Sequence, residues 1–171
     1  MGFMDPMLAN EVFIGPMIGL TMPMLATRGC PFECTFCSSP QMWTQLWRPR
    51  DPVKVADELE HYVNTYGAND FQFQDLTAIV RKDWIITFCK ELIRRNLDIT
   101  WQLPVGTRSE AIDREVADFL MASGCHHITY APESGSERIL KAIKKKYCKG
   151  LRRGPRNADL AFERWPTCHT G

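Results

Sequence analysis

Apolar positions in this chain alternate between two spacings. Short strand-like runs are each followed by a longer stretch of helical period. Pro23–Thr27 is a brief apolar run, read as a buried strand, and Arg28, Gly29, Cys30 and Pro31 break it. Asp51 and Pro52 then open a helix, with Asp as N-cap and Pro at the first helical position. Val53, Ala56, Leu59, Tyr62 and Val63 recur at helical spacing until Gly67 ends it. Asp70–Asp75 alternates polar and aromatic side chains, as a strand does. Arg81–Arg95 reads as a helix with Trp84, Ile85, Phe88, Cys89, Leu92 and Ile93 on one side. Ile99–Leu103 is a third strand. Asp113–Ser123 is a helix closed by Gly124. His126–Tyr130 is a fourth strand, and Ser136 caps a last helix, Glu137–Lys146.

The order is thus β then α, four times, at roughly thirty residues per unit. Consecutive parallel strands need crossover connections, so this order predicts an α/β fold with a parallel sheet and helices outside it. In such folds ligands gather at the carboxyl ends of the strands. The polar and cysteine-rich segments all follow strands. After Lys146 the periodicity fails. The chain is therefore divided into an N-terminal extension (1–20), a core (21–146) and an irregular tail (147–171).

Composition narrows the class. With 171 residues, 44% hydrophobic, 24% charged and a formal net charge of +1, the chain reads as an ordinary globular domain. It has no charge field that would favour nucleic acid or a membrane surface. No apolar run approaches the ~20 residues of a membrane span. The Met-, Pro- and Gly-rich start lacks a basic region before its apolar residues and is not read as a signal peptide. A reducing cytoplasm is the expected compartment. The chain has 7 cysteines, an odd number that argues against a full disulfide framework. In a reducing compartment clustered cysteines are more readily metal ligands.

Cys30, Cys34 and Cys37 form a CxxxCxxC loop after the first strand. Three thiolates leave one coordination position open on whatever they hold. A cubane of four irons suits this, because three irons take Cys and the fourth can take a small molecule. A structural zinc site wants a fourth Cys or His, and neither Cys89, Cys125, His126 nor His127 obviously supplies it. Three cysteines with no metal, and a zinc-binding module, are the competing readings.

The segment Arg28–Cys37, RGCPFECTFC, resembles the cluster loop of radical S-adenosylmethionine (SAM) enzymes, in the form common among members with a cobalamin-binding domain. The resemblance extends over about residues 20–146. It implies a partial (β/α) barrel, a [4Fe-4S] cluster on Cys30, Cys34 and Cys37, and SAM on the fourth iron through its amino and carboxylate groups. An electron from the cluster then cleaves the sulfonium bond, yielding a 5'-deoxyadenosyl radical, or SAM serves methyl transfer through cobalamin. It also implies an electron donor such as flavodoxin or ferredoxin.

Site residues follow from the resemblance one by one. Phe36, before the last cysteine, falls near the adenine. Asp75 follows the second strand, where a carboxylate accepts from the methionyl amine; by itself it is equally a capping or turn residue. Leu76 stands where relatives often carry a second acid. Arg108, after the third strand, would pair with the SAM carboxylate, with a surface ion pair as its plain alternative. Glu133 and Ser134, in a Glu-Ser-Gly-Ser segment after the fourth strand, fall near the ribose; an ordinary capping turn is the alternative. His126 and His127 are expected to face opposite sides of their strand, in packing rather than catalytic roles. Trp43, Trp47 and Trp101 line a cavity or fill the core, and Lys141 and Lys144–Lys146 form a solvated helix end. Only four β/α units are visible, and no cobalamin domain is seen ahead of the loop. The sequence therefore also supports a truncated, non-catalytic iron-sulfur fragment, and cobalamin would need a missing domain or a partner.

Overall fold

The structure, a computed structural model, describes residues 18–107, 112–131 and 133–145. Among these, the elements run β1 (Thr21–Met24), β2 (Thr27–Arg28), α1 (Ser39–Trp43), β3 (Arg48–Pro49), α2 (Pro52–Tyr66), β4 (Asp70–Phe73), α3 (Lys82–Arg95), β5 (Thr100–Thr107), α4 (Arg114–Ala122), β6 (Cys125–Tyr130) and α5 (Glu137–Ala142). The main sheet has the order β1-β4-β5-β6, and every pair in it is parallel. The expected α/β architecture is therefore observed, with α2, α3 and α4 as the crossovers.

Local chemistry sets the helix boundaries. Asp51 accepts from the amides of Val53 and Lys54 at the start of α2, and Gly67 closes that helix in the left-handed region. Asp113 caps α4 by accepting from the Val116 amide. Gly124 turns the chain into β6 at φ +89, and a Cβ there would stand 2.5 Å from the Ile99 carbonyl oxygen, so only glycine fits.

The two faces of the sheet differ sharply. Phe71, Phe73, Trp101, Leu103 and Ile128 are buried on the helix side. There Phe88 of α3 meets Phe73 and Trp101 edge-to-face, with centroids 5.6 and 5.5 Å apart, and stacks on Trp84. Burial of each such side chain stabilises the fold by about 1.5–3 kcal/mol. Trp101 thus belongs to the core. Trp47 is half-buried and donates to the Thr77 carbonyl at 3.1 Å, and Trp43 is exposed.

Alternation places Thr21, Asp70, Gln72, Thr100 and Gln102 on the inner face. Asp70, fully buried, accepts from Thr21 Oγ1 (3.0 Å) and Thr100 Oγ1 (2.8 Å) and pairs with His126 Nε2 (3.2 Å). One carboxylate thereby joins the starts of all four strands.

Several expectations are corrected. The first strand ends at Met24 and does not run to Thr27. Gln74 N bonds the Met24 carbonyl at 2.9 Å, after which the chain leaves β4 and forms the small antiparallel ladder β2–β3. The third strand runs through Thr107, so Gly106 and Thr107 lie in it rather than after it. Ile93 is 41% exposed, on the flank of α3 and not in its buried stripe. The last helix stops at Ala142, where Lys144 takes φ +55 and the Lys145 amide bonds the Leu140 carbonyl. Ser136 makes no side-chain cap; its amide donates to Ser134 Oγ instead. His126 and His127 do not split between faces. A register shift puts Cys125 opposite Trp101 and His127 opposite Gln102, so His126 is the extra residue of a bulge and both imidazoles lie on the inner side. Arg108, Lys146, the tail 147–171 and residues 1–17 of the extension lie outside the described residues.

Candidate cluster-binding site

The three close cysteines sit on the long loop between β2 and β3, at the carboxyl end of β1. Gly29 starts the loop at φ +78, and a Cβ there would lie 2.3 Å from the Leu46 carbonyl oxygen. The two ends of the loop touch at this point, and β2–β3 closes it behind them. Within it the Cys37 amide donates to the Cys34 carbonyl (3.0 Å), and the Ser39 amide donates to Cys37 Sγ (3.4 Å). The Thr35 amide bonds the Ile143 carbonyl (3.2 Å), and Glu33 pairs with Lys144 (3.5 Å), so the loop rests on the segment that follows α5.

Cys30, Cys34 and Cys37 are all reduced; the first two are half-buried and the third is exposed. This donor set fits a cubane cluster: soft, accessible thiolates carried on one short loop. Among the described residues no group of three His, Cys, Asp or Glu side chains, the three cysteines included, is gathered closely enough to hold a single metal ion. Cys89 and Cys125 are buried. Burial pushes the Cys89 thiol up to about 12, which makes it an inert core residue.

Asp75 is the anchor of this end of the sheet. It is 2% exposed. Its Oδ1 accepts from Thr27 Oγ1 (2.6 Å), the Ala26 amide (3.1 Å) and the Thr27 amide, and its Oδ2 accepts from the Ala26 amide (3.1 Å). Burial pushes the carboxyl upward, against the pull of the Thr27 hydroxyl and the two amides. The carboxylate thus holds the two residues that lead into the cysteine loop. Thr27 was not singled out by the sequence, and only its place next to Arg28-Gly29-Cys30 hints at its role.

Phe36 is 58% exposed beside Cys37, and its ring is open to a ligand. Glu133 and Ser134 follow β6, at the same sheet end as the loop. Glu133 adopts φ +63, in the left-handed region, and its carboxylate pairs with Lys145 Nζ (3.0 Å). Lys145, expected in a solvated helix end, is only 9% exposed in its side chain and also donates to the Ala131 carbonyl. Ser134 Oγ is engaged by the Ser136 amide (3.1 Å). The structure therefore brings Phe36, Asp75, Glu133 and Ser134 to one rim with the three cysteines, and Asp75 faces the chain itself.

A parallel β/α sheet with a three-cysteine loop at its carboxyl rim is an α/β domain of the kind whose sites lie at the strand ends. The family model of the radical SAM superfamily matches residues 24–152, and the chain belongs to that superfamily. The family uses a [4Fe-4S] cluster and SAM. An anaerobic magnesium-protoporphyrin IX monomethyl ester cyclase of Cereibacter sphaeroides is 33% identical over 138 residues, 80% of this chain and 22% of the cyclase. A cytidylyl-2-hydroxyethylphosphonate methyltransferase of Streptomyces wedmorensis is 33% identical over 135 residues, 78% of this chain and 24% of that enzyme. The chain thus spans about a quarter or less of the length of these relatives. Among solved structures, the radical SAM methyltransferase TsrM from Kitasatospora setae, with tryptophan and a SAM analogue bound, aligns with a TM-score of 0.71 at 19% identity, covering 95% of this chain and 31% of TsrM. The same enzyme with cobalamin and a [4Fe-4S] cluster aligns at 0.70, with 21% identity over 88% of this chain and 28% of that one. Over the described residues no helix is long and apolar enough to cross a membrane.

Proposed function

We propose that this chain is the cluster- and SAM-binding part of a radical SAM enzyme, with Cys30, Cys34 and Cys37 as the three iron ligands. The observation that carries this reading is the reduced three-cysteine loop, fastened at the carboxyl rim by Gly29 and by the Asp75 clamp in a chain of this family. When bound, such a cluster supplies the electron for reductive cleavage of SAM.

The chain's own residues have separable tasks. Gly29 and the β2–β3 ladder close the loop that carries the three cysteines. The Ser39 amide donates to the Cys37 sulfur and holds it in place. Phe36 offers an aromatic face to adenine. Glu133 offers ribose hydroxyls two acceptor oxygens once Lys145 yields, and Ser134 shapes the turn that carries it. Arg108 would pair with the SAM carboxylate. Asp75 is a positioning residue; its buried, engaged carboxylate supports that role in place of the amine contact implied by the resemblance.

Both relatives and solved neighbours include methyltransferases, which supports methyl transfer as the overall outcome, with cobalamin supplied outside residues 21–146 and an electron donor of flavodoxin or ferredoxin type. The competing reading is a non-catalytic iron-sulfur fragment. Anaerobic reconstitution with iron and sulfide separates them. The expected result is about four irons and four sulfides per chain with broad visible absorption, lost in C30S, C34S and C37S, together with dithionite-driven 5'-deoxyadenosine formation from SAM. A loaded cluster without SAM cleavage supports the fragment. Stoichiometric zinc without iron overturns both.

A further inference from the structure

On the inner face of the sheet, the rung above Asp70 is built differently from the rung below it. Register places Gln72 of β4 beside Gln102 of β5, and Gln102 beside His127 of β6, across three adjacent strands. Gln72 is 8% exposed and Gln102 is fully buried. One rung down, the protein saturates Asp70 with Thr21, Thr100 and His126. One rung up, Gln102 Nε2 and Oε1 and Gln72 Nε2 have no hydrogen-bond partner, while Gln72 Oε1 accepts from Gln74 Nε2 at 3.2 Å. Buried amides are almost always satisfied, so two adjacent open ones, beside a layer that is closed, call for an outside partner.

We propose that Gln72 and Gln102 form a recognition edge for substrate, and that the group they take is a carbonyl flanked by an N–H, as in an amide or a lactam ring. The chemistry follows from what is open. Gln72 offers its open Nε2 donor, while its oxygen already accepts from Gln74. Gln102 offers both a donor and an acceptor. A carbonyl oxygen between two strands about 4.8 Å apart can accept from both amides, and the adjacent N–H donates to Gln102 Oε1. A carboxylate satisfies the donors and leaves Gln102 Oε1 open. The edge lies on the inner face, a few residues before the rim that carries the cysteine loop. This inference rests on the proposed function, which puts the cluster loop at the carboxyl rim of this same sheet.

The test uses the 171-residue chain without cluster. Saturation-transfer NMR is recorded with 2-pyridone and benzamide as amide probes, and with benzoate and toluene as controls. A response from the two amides, absent for toluene and weaker for benzoate, is expected. Q102M and Q72M, both close to isosteric, are expected to abolish it. If Q102M does not fold, loss or retention of the response in Q72M decides. No amide response in the parent chain, an unchanged response in the folded variants, or a preference for benzoate overturns the proposal. Iron loading is measured in parallel. A chain that loads iron but ignores the amides fails this inference alone, and a chain that takes the amides but no iron fails the cluster reading alone.

Discussion

Thr27 and Asp75, 48 residues apart in sequence, meet through a 2.6 Å hydrogen bond from hydroxyl to buried carboxylate. The Thr27 backbone amide reaches the same oxygen. This pair decides where the chain leaves the sheet, and therefore where Gly29 and the first cysteine begin. An Asp75→Asn amide keeps the volume and loses the charge that gathers these donors. Breaking a buried, multiply bonded carboxylate costs about 2–4 kcal/mol. Chemical denaturation is expected to show that loss, and iron and sulfide content after reconstitution to fall with it. Equal stability and equal iron would remove the clamp from the scheme.

Gly29 carries the other constraint on the loop. Gly29→Ala introduces a left-handed alanine and a contact with the Leu46 carbonyl that only backbone movement relieves. A cost above about 1 kcal/mol is expected, confined to the loop. Far-UV circular dichroism should stay as in the parent while cluster loading drops. Loading at the parent level would show that the loop tolerates a different closure.

The Asp70 carboxyl sets an acid limit on the fold. Burial pushes it up, but the hydrogen bonds from His126, Thr100 and Thr21 outweigh burial and hold it below its ordinary value. A carboxyl depressed in the folded state favours folding above the ordinary carboxylate range, and that contribution is lost as pH falls through the folded value. Asp70→Asn is therefore expected to lower stability at pH 7 by about 1–2 kcal/mol, with the gap to the parent shrinking below about pH 4. Melting temperatures across pH 3–8 check both the size and the sign.

Thiol labelling separates ligand from core cysteines. At about pH 8, iodoacetamide is expected to label Cys34 and Cys37 quickly in the metal-free chain, and to reach buried Cys89 and Cys125 only in denaturant. Cluster loading should protect Cys30, Cys34 and Cys37 together. Peptide mapping by mass spectrometry reads both outcomes, and early labelling of Cys89 would contradict its place in the core.

What could be read from the sequence divides along the range of the interactions. The start of α2 at Asp51-Pro52, its end at Gly67 and the Gly124 turn depend on neighbours within a few residues, and all appear in the structure where the sequence puts them. The cysteine loop was legible for the same reason. What escaped depends on distant partners. The role of Asp75 needs Ala26 and Thr27, and the shared face of His126 and His127 needs a bulge against β5. The shortened last helix needs Lys145 to turn back toward Ala131 and Glu133. The open edge at Gln72 and Gln102 appears only when β4 and β5 are aligned, since each glutamine alone is an ordinary polar position in an alternating strand.

The pattern Asp70-Phe71-Gln72-Phe73 has a consequence for how the chain finds its alignment. Sliding β4 by one residue would push a carboxylate into the aromatic layer around Phe88 and Trp101, and turn two phenyl rings toward the polar side. Both errors occur at once, so the central strand has no nearly equivalent threading to fall into during assembly. The register of these four residues also sets the heights of β1 and β5 beside them, and with β1 the level at which the rim and its sulfurs lie.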